Sequence, residues 1–554
     1  MKIALLDLNH HTISIHTNTV PLGLGLLSIY LKNNIENPEQ YDIKLFKVHE
    51  KLLEVLKTWI PDIVGITQYS WNSNLNIHMA QYILKLNPNC IIIAGGPNLH
   101  IKKEKKIEFL KRFNFIDFCI TYEGEIPFLN IIKEISNGKK VNEIKHMLLP
   151  GIYALDGELL ESDEPSPRIS SLDVFGPIYI TGIFDELLND GFNPFLQTQR
   201  GCPNNCAYCH TGNKYYSKII FQSPEIFKRD MEYLGKKFRN RHDISLYLAN
   251  TNFGLYKKDF EIAEIIRYIQ DKYDWPKHID INYANNSKNL LKMCNMWKYK
   301  MVPAIALQTL TKKVMDNINR KNISLQEFEE FHDKVVKEYG NETWTELILC
   351  LPGEDKRSFL ETLSGVFNSK VQIVCIYTLM LLNGTPLSDE DFIEKYNMKI
   401  KYRLVPRCFS EIEKNRIFDI EKVIVETNTM SYSEYLYFRK LSLLAEVFLS
   451  NNELFKYRVS LIDNKKDIMR YLIYIYYHIH KYRNISKIIN DFMMETENEL
   501  FNSEEELITF YSKDNSYKLL LEGKLGDNLL RKYKNIIINS HMDECKQIMN
   551  EYEQ

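Results

Sequence analysis

The 554-residue chain is short of cysteine, of any charge surplus and of long apolar runs, and each shortage removes a class of protein. Ten cysteines are too sparse for a disulfide framework. Lys+Arg number 70 against 72 Asp+Glu, a net charge of −2, so the broad basic footprint of a nucleic-acid binder is missing and no such partner is expected. The most apolar late segment, YLIYIYYHIHKYR from Tyr471, is interrupted by histidine and arginine, and the start, MKIALLDLNHH, lacks a basic region followed by a long apolar stretch. No membrane span and no export are expected, and the cytoplasm is the expected compartment. No internal repeat emerges. What remains is ordinary composition, 45% hydrophobic and 26% charged, which excludes a disordered chain and suffices for several domains with full cores.

The pattern along the chain divides it. Over residues 1–135 short β-rich runs (KIALLDL, YDIKLFKV, DIVGITQYS, CIIIAGGPN, FIDFCITYEGE) alternate with helical stretches such as LGLGLLSIYLKN, which predicts an α/β, doubly wound parallel sheet of Rossmann type. Ligands of such sheets sit beyond the carboxyl ends of the strands, where polar or glycine-rich loops fall here. Residues 136–190, with the short strands GIYAL and ELLES and the passage DEPSPRISSLD, read as a linker. Over 191–390 six further strand-helix units, beginning at FLQTQRGC, predict a barrel or part of one, a partial (β/α)6 barrel with its chemistry at the strand C-termini. Residues 391–554 turn helical and predict a C-terminal helical domain.

The sharpest local signal is RGCPNNCAYCHTG, in which Cys202, Cys206 and Cys209 follow a predicted strand with the spacing C-x3-C-x2-C. Three thiolates on one tight loop converge on a metal centre. Zinc favours four protein ligands, and His210 would complete such a site, whereas an iron–sulfur cube held by three cysteines leaves one iron open to another ligand. Soft thiolates accept both metals. The other seven cysteines are scattered through apolar runs and read as small buried hydrophobes.

This spacing, with an aromatic residue (Tyr208) just before the third cysteine, resembles the radical S-adenosylmethionine (SAM) enzymes. The resemblance implies a [4Fe-4S] cluster on Cys202, Cys206 and Cys209, SAM on the open iron, cleavage to a 5′-deoxyadenosyl radical, and reduced flavodoxin or ferredoxin as electron donor. It continues through residues 195–390. The loop in LANTNFG corresponds to the family stretch that receives the SAM amino group, making Asn250 and Asn252 candidates in place of the usual glycine-glycine-glutamate. IALQTLTKKVMDNINRKN resembles the strand-four segment, with Gln308 toward the SAM ribose or carboxylate. LILCLPGEDKRSF resembles the strand-five segment near the adenine, with Pro352, Gly353 and Glu354 at its turn, and LLNGTPL resembles the end of strand six.

A doubly wound domain before such a barrel resembles the cobalamin-binding subfamily, through VPLGLGLLSIYLK, VGITQYSWN, IIIAGGPN and YEGEIPFL. Gly95 and Gly96 allow close backbone approach to a large flat ligand, and Thr67 and Ser70 offer hydroxyls beside it. The histidine-ligation motif D-x-H-x-x-G is absent after the first strand, where Asp7, His10, His11 and His16 have the wrong spacing; His10 and His11 read as polar loop residues. With both cofactors the resemblance implies methyl transfer to an unreactive carbon. A rearrangement, ring contraction or cyclisation and a non-catalytic zinc-stabilised module are the alternatives.

Overall fold

The structure, a computed structural model, describes residues 1–11, 18–340 and 342–553. Its first sheet runs β1 (Lys2–Asn9), β2 (Asp42–Val48), β3 (Ile63–Thr67), β4 (Ile91–Gly95), β5 (Phe118–Ile120), β6 (Ile152–Asp156) and β7 (Glu158–Glu161), in the spatial order β2-β1-β3-β4-β5-β6-β7. The first five are parallel, and β6 and β7 add antiparallel at one edge. Helices α1 (Leu22–Asn34), α2 (His49–Leu56), α3 (Ser73–Leu86), α4 (Lys103–Arg112) and α5 (Glu125–Ser136) cover it. Both faces are buried: Leu6, Val64, Ile92 and Cys119 face one core, Ile3, Leu5, Ile63 and Ile93 the other. That accounts for the near-continuous apolar strands, since a parallel sheet is covered on both sides. The segment read as a linker therefore contributes to the sheet, because GIYAL pairs with β5 and ELLES pairs with GIYAL.

The second region is an open barrel. Its strands are β8 (Phe195–Leu196), β9 (Gln199–Arg200), β10 (Ile220–Phe221), β11 (Leu246–Phe253), β12 (Ile279–Tyr283), β13 (Trp344–Leu349) and β14 (Ile373–Thr378). The β12-β11-β8 and β13-β14 pairings are parallel. The run expected as the fourth barrel strand, MVPAIALQT, forms only the isolated bridges Ala304↔Trp344 and Gln308↔Leu347, since Pro303 withholds an N–H and Gln308 sits at φ 64°, outside strand geometry. The first expected strand is likewise split, β9 turning to pair antiparallel with β10.

Helices dominate beyond residue 430, but the segment expected to be wholly helical opens with a long antiparallel hairpin, β15 (Lys399–Ile412) and β16 (Asn415–Glu426). In KVIVE the residues Val423, Ile424 and Val425 are all buried between half-buried Lys422 and Glu426, and so short an apolar run between charges carries no period that tells strand from helix. The hairpin lies against α3: Asp419 accepts the Asn74 amide at 2.7 Å and meets the buried His10 ring at 2.6 Å. Among the described residues no helix is long and apolar enough to cross a membrane.

Candidate functional site

The cysteine loop is pinned at its neck. β9 and β10 close it through Arg200↔Ile220, and the Cys202 amide donates to the Tyr216 carbonyl at 3.0 Å. Gly201 sits at φ 108°, and a Cβ there would lie 2.6 Å from the Lys218 oxygen and 2.7 Å from that of Tyr216, so only glycine permits the closure. Cys202 and Cys206 are buried, Cys209 partly so, and all three are free thiols. Each sulfur has a donor: Asn252 Nδ2 lies 3.1 Å from Cys202 Sγ, Thr211 Oγ1 3.2 Å from Cys209 Sγ, and Arg320 Nη1 3.9 Å from Cys206 Sγ. Polar groups placed this way orient and steady sulfur ligands of a metal.

Three free sulfurs on one loop, each with a hydrogen-bonding group beside it, are a donor set that fits an iron–sulfur cube held by three cysteines. Burial depresses the His210 pKa to about 4, so that ring is neutral beside the loop.

Arg320, at the end of the strand-four segment, ties this loop to the barrel. It donates to the Tyr208 hydroxyl at 2.7 Å, to the Leu307 carbonyl at 3.2 Å and to the Ala306 carbonyl. Burial raises the Tyr208 pKa, so the phenol stays protonated.

The residues proposed for SAM part company here. Asn252 faces Cys202, as described. Asn250 is fully buried, and its amide both accepts from the Thr198 amide N–H at 3.1 Å and donates to the Thr198 hydroxyl at 2.7 Å, so it fastens β11 to the first barrel strand. Glu354 is likewise buried and accepts from Thr309, Thr311 and Ser358 at 2.7, 2.7 and 2.8 Å; burial raises its pKa, and it acts as an internal clamp on the strand-five turn. The Pro352 carbonyl accepts from Asn317 at 2.8 Å, and Gly353 takes the left-handed φ of 84° that this turn requires. Gln308 keeps ligand capacity: its Nε2 lies 3.4 Å from Glu346, and its Oε1 is buried without a hydrogen-bond partner. Glu346, with its pKa raised by burial, shares that end of the barrel.

A cavity of about 770 Å³ joins the two regions. Its wall includes Asp7, Thr67, Gly95 and Gly96 at the strand ends of the first sheet, and Arg200, Gly201, His210, Thr211 and Tyr216 on both flanks of the cysteine loop. Thr67 is engaged at 3.1 Å with Asp7, which also pairs with the buried Lys47 at 2.8 Å. Ser70 is not on the wall among the described residues; its neighbours Tyr69 and Trp71 are, with their rings stacked 4.5 Å apart. The Trp71 Nε1 is buried without a hydrogen-bond partner. Gly96 meets Gln68 so closely that a Cβ would lie 2.8 Å from its carbonyl oxygen, whereas a Cβ on Gly95 would find nothing nearer than 4.0 Å. An open glycine floor, an aromatic plate and an orphaned donor fit a large flat ligand. His10 is held by Ser410 and Asp419, His11 lies beside Glu50, and neither is on the wall; His16 lies outside the described residues.

Sequence reading overlooked Arg320, Glu346, Tyr69, Trp71 and the Asp7–Lys47 pair. Arg320, Tyr69 and Trp71 stand inside the stretches IALQTLTKKVMDNINRKN and VGITQYSWN, but no spacing rule marks them.

The family model for the radical SAM superfamily matches residues 196–364. The chain is 25% identical over 434 residues to 2-(S-pantetheinyl)-carbapenam-3-carboxylate methyltransferase from Streptantibioticus cattleyicolor, covering 75% of this chain and 61% of that protein. It is 24% identical over 430 residues to the cobalamin-dependent radical SAM methyltransferase TokK from Streptomyces tokunonensis, covering 74% and 60%. It thus spans about three fifths of the length of these curated relatives. Among solved structures, the cobalamin-dependent SAM radical enzyme OxsB with aqua-cobalamin and SAM superposes with a TM-score of 0.58 at 14% identity, over 97% of this chain and 83% of that one. The radical SAM methyltransferase TsrM from Kitasatospora setae gives 0.55 at 12% identity, over 76% and 85%. With the cysteine loop in its barrel setting, residues 196–364 form a radical SAM domain, and the chain around it is similar in sequence and fold to cobalamin-dependent radical SAM enzymes.

Proposed function

We propose that the chain is a cobalamin-dependent radical SAM methyltransferase acting on an unactivated carbon. The observation that carries this reading is the single cavity shared by the strand ends of the first sheet and both flanks of the cysteine loop. Cys202, Cys206 and Cys209 would hold a [4Fe-4S] cluster with SAM at its open iron, Gln308 and Glu346 would face the nucleoside, and the glycine floor would carry cobalamin. When bound, these groups supply a 5′-deoxyadenosyl radical that removes hydrogen and a methyl group that replaces it. The chain's own work is placement. Asn252 and Thr211 direct donors at two sulfurs, and Arg320 holds Tyr208 and the strand-four segment together. Leu5, Leu24, Ile93 and Phe128 keep the cavity wall apolar, excluding water from reactive species. Two methyltransferases among the relatives support the transfer of methyl over other outcomes. The electron donor is a reduced flavodoxin or ferredoxin, and the protein works in the cytoplasm.

Anaerobic purification and reconstitution test the reading. The expected result is about four iron per chain, hydroxocobalamin that stays with the protein on gel filtration, and release of both S-adenosylhomocysteine and 5′-deoxyadenosine from SAM under strong reductant. Zinc in place of iron overturns it. Deoxyadenosine alone, with corrinoid retained, assigns the rearrangement or cyclisation class instead.

A further inference from the structure

The first sheet reaches across the cavity to grip the cysteine loop. After β5 the chain turns through Tyr122, a non-glycine residue held at φ 63°, and presents two buried carboxylates, Glu123 and Glu125. Glu125 accepts from Arg200 Nη1 at 2.8 Å; Arg200 stands two residues before Cys202, and Glu123 lies 3.6 Å from the same nitrogen. Burial works against the Arg200 charge, but the two carboxylates more than offset it and raise its pKa. Glu123 also accepts from Arg168 Nε at 2.8 Å. Arg168 in turn donates to the carbonyls of Tyr215 and Lys218 at 3.1 and 2.8 Å, the returning side of the same loop. The Tyr122 ring stacks on Tyr215 at 4.2 Å. Both sides of the loop neck are therefore fastened to one turn of the other domain. Tyr122, Glu123, Glu125, Arg200 and Tyr216 are all on the cavity wall, so a ligand filling the cavity presses on this fastening.

We propose that Glu123 and Glu125 are positioning residues that hold the two sides of the cysteine loop through Arg168 and Arg200, and thereby couple occupation of the cavity to the metal centre. The inference rests on the proposed function, with corrinoid in the cavity and a cluster on the cysteines. A buried ion-pair network specifies one arrangement rather than adding much stability, which suits a register device. Coupling is reciprocal, so it can be read from either site.

The test measures the dissociation constant of hydroxocobalamin for the cluster-loaded full chain and for the cluster-free C202A/C206A/C209A chain. In the wild-type background the loaded form is expected to bind at least about fivefold more tightly, the lower range of site coupling. In Glu123→Gln and Glu125→Gln backgrounds the ratio is expected to fall to about 1, while iron content and circular dichroism are kept. The paired E123Q/R168Q variant, which leaves no lone buried charge, serves if E123Q does not fold. As a second readout, hydroxocobalamin is expected to shift the electron paramagnetic resonance spectrum of the reduced cluster in wild type and not in the variants. Equal affinities with and without cluster in wild type, or a ratio and spectral shift unchanged in the variants, overturn the coupling alone. A cluster-loaded wild type that binds no hydroxocobalamin overturns the reading of the cavity and the coupling with it.

Discussion

At the scale of single residues, neighbouring identical residues have opposite duties. Gly96, at φ 129°, is forced by its contact with Gln68, so Gly96→Ala is expected to cost about 1–3 kcal/mol in denaturant unfolding. Gly95→Ala has room in the protein and is expected to melt like wild type while weakening hydroxocobalamin binding; unchanged binding would count against the glycine floor. Arg320 uses a planar fork to reach Tyr208, Leu307 and Ala306 at once, which an ammonium cannot do. Arg320→Lys should therefore lower iron retention after desalting despite keeping the charge. Far from the site, His332 is fully buried with both ring nitrogens unpartnered, and burial, aided by Arg458, lowers its pKa to about 3. Its folded pKa lies below the unfolded value near 6.5, so the unfolded chain binds the extra proton between those limits and stability falls as pH drops through that window. Relative to His332→Leu, wild type should lose roughly 1.4 kcal/mol per pH unit below pH 6.5, as read from urea midpoints across pH. These roles were invisible in sequence because they depend on what stands opposite each residue.

At the scale of elements, the hairpin β15–β16 is the piece that joins the C-terminal region to the first sheet. Asp419 takes the amides at the start of α3, Asn74 at 2.7 Å and Leu75 at 3.4 Å, and pairs with His10. A carboxylate at a helix N-terminus meets free N–H groups and the favourable end of the helix dipole. Asp419→Asn is expected to cost about 1–3 kcal/mol and to speed hydrogen exchange in β16 and the first turn of α3. Exchange unchanged there would remove the joint. His10 thus earns its place as a structural partner, which its position in a histidine-rich loop did not reveal. The same scale explains the unequal legibility of the strands. The parallel strands β1, β3, β4 and β5 of the first sheet are buried along nearly their whole length and stood out in the sequence. The hairpin and the broken fourth barrel strand carry mixed faces and proline, and their pairing depends on distant partners.

At the scale of the whole molecule, the cavity makes the stability of one region depend on a ligand that touches two. A ligand binding only the folded state at 100 times its dissociation constant adds about 2.7 kcal/mol. Hydroxocobalamin should accordingly raise the thermal midpoint of both the first sheet and the barrel together, followed by near- and far-ultraviolet dichroism. A shift confined to one region would contradict a shared wall.

The sequence by itself determined the local chemistry: a three-thiol loop after a strand, a glycine-rich strand end, and the alternating apolar runs that build a covered parallel sheet. Those are short-range properties, set by spacing and by the period of burial. Only the tertiary structure decided that Asn250 and Glu354 are internal clamps, that Asn252 and Arg320 serve the sulfurs, and that Glu123 and Glu125 hold the cysteine loop from another domain. Each of these depends on a partner 40 or more residues away, brought near by packing, and no pattern of adjacent residues encodes that distance.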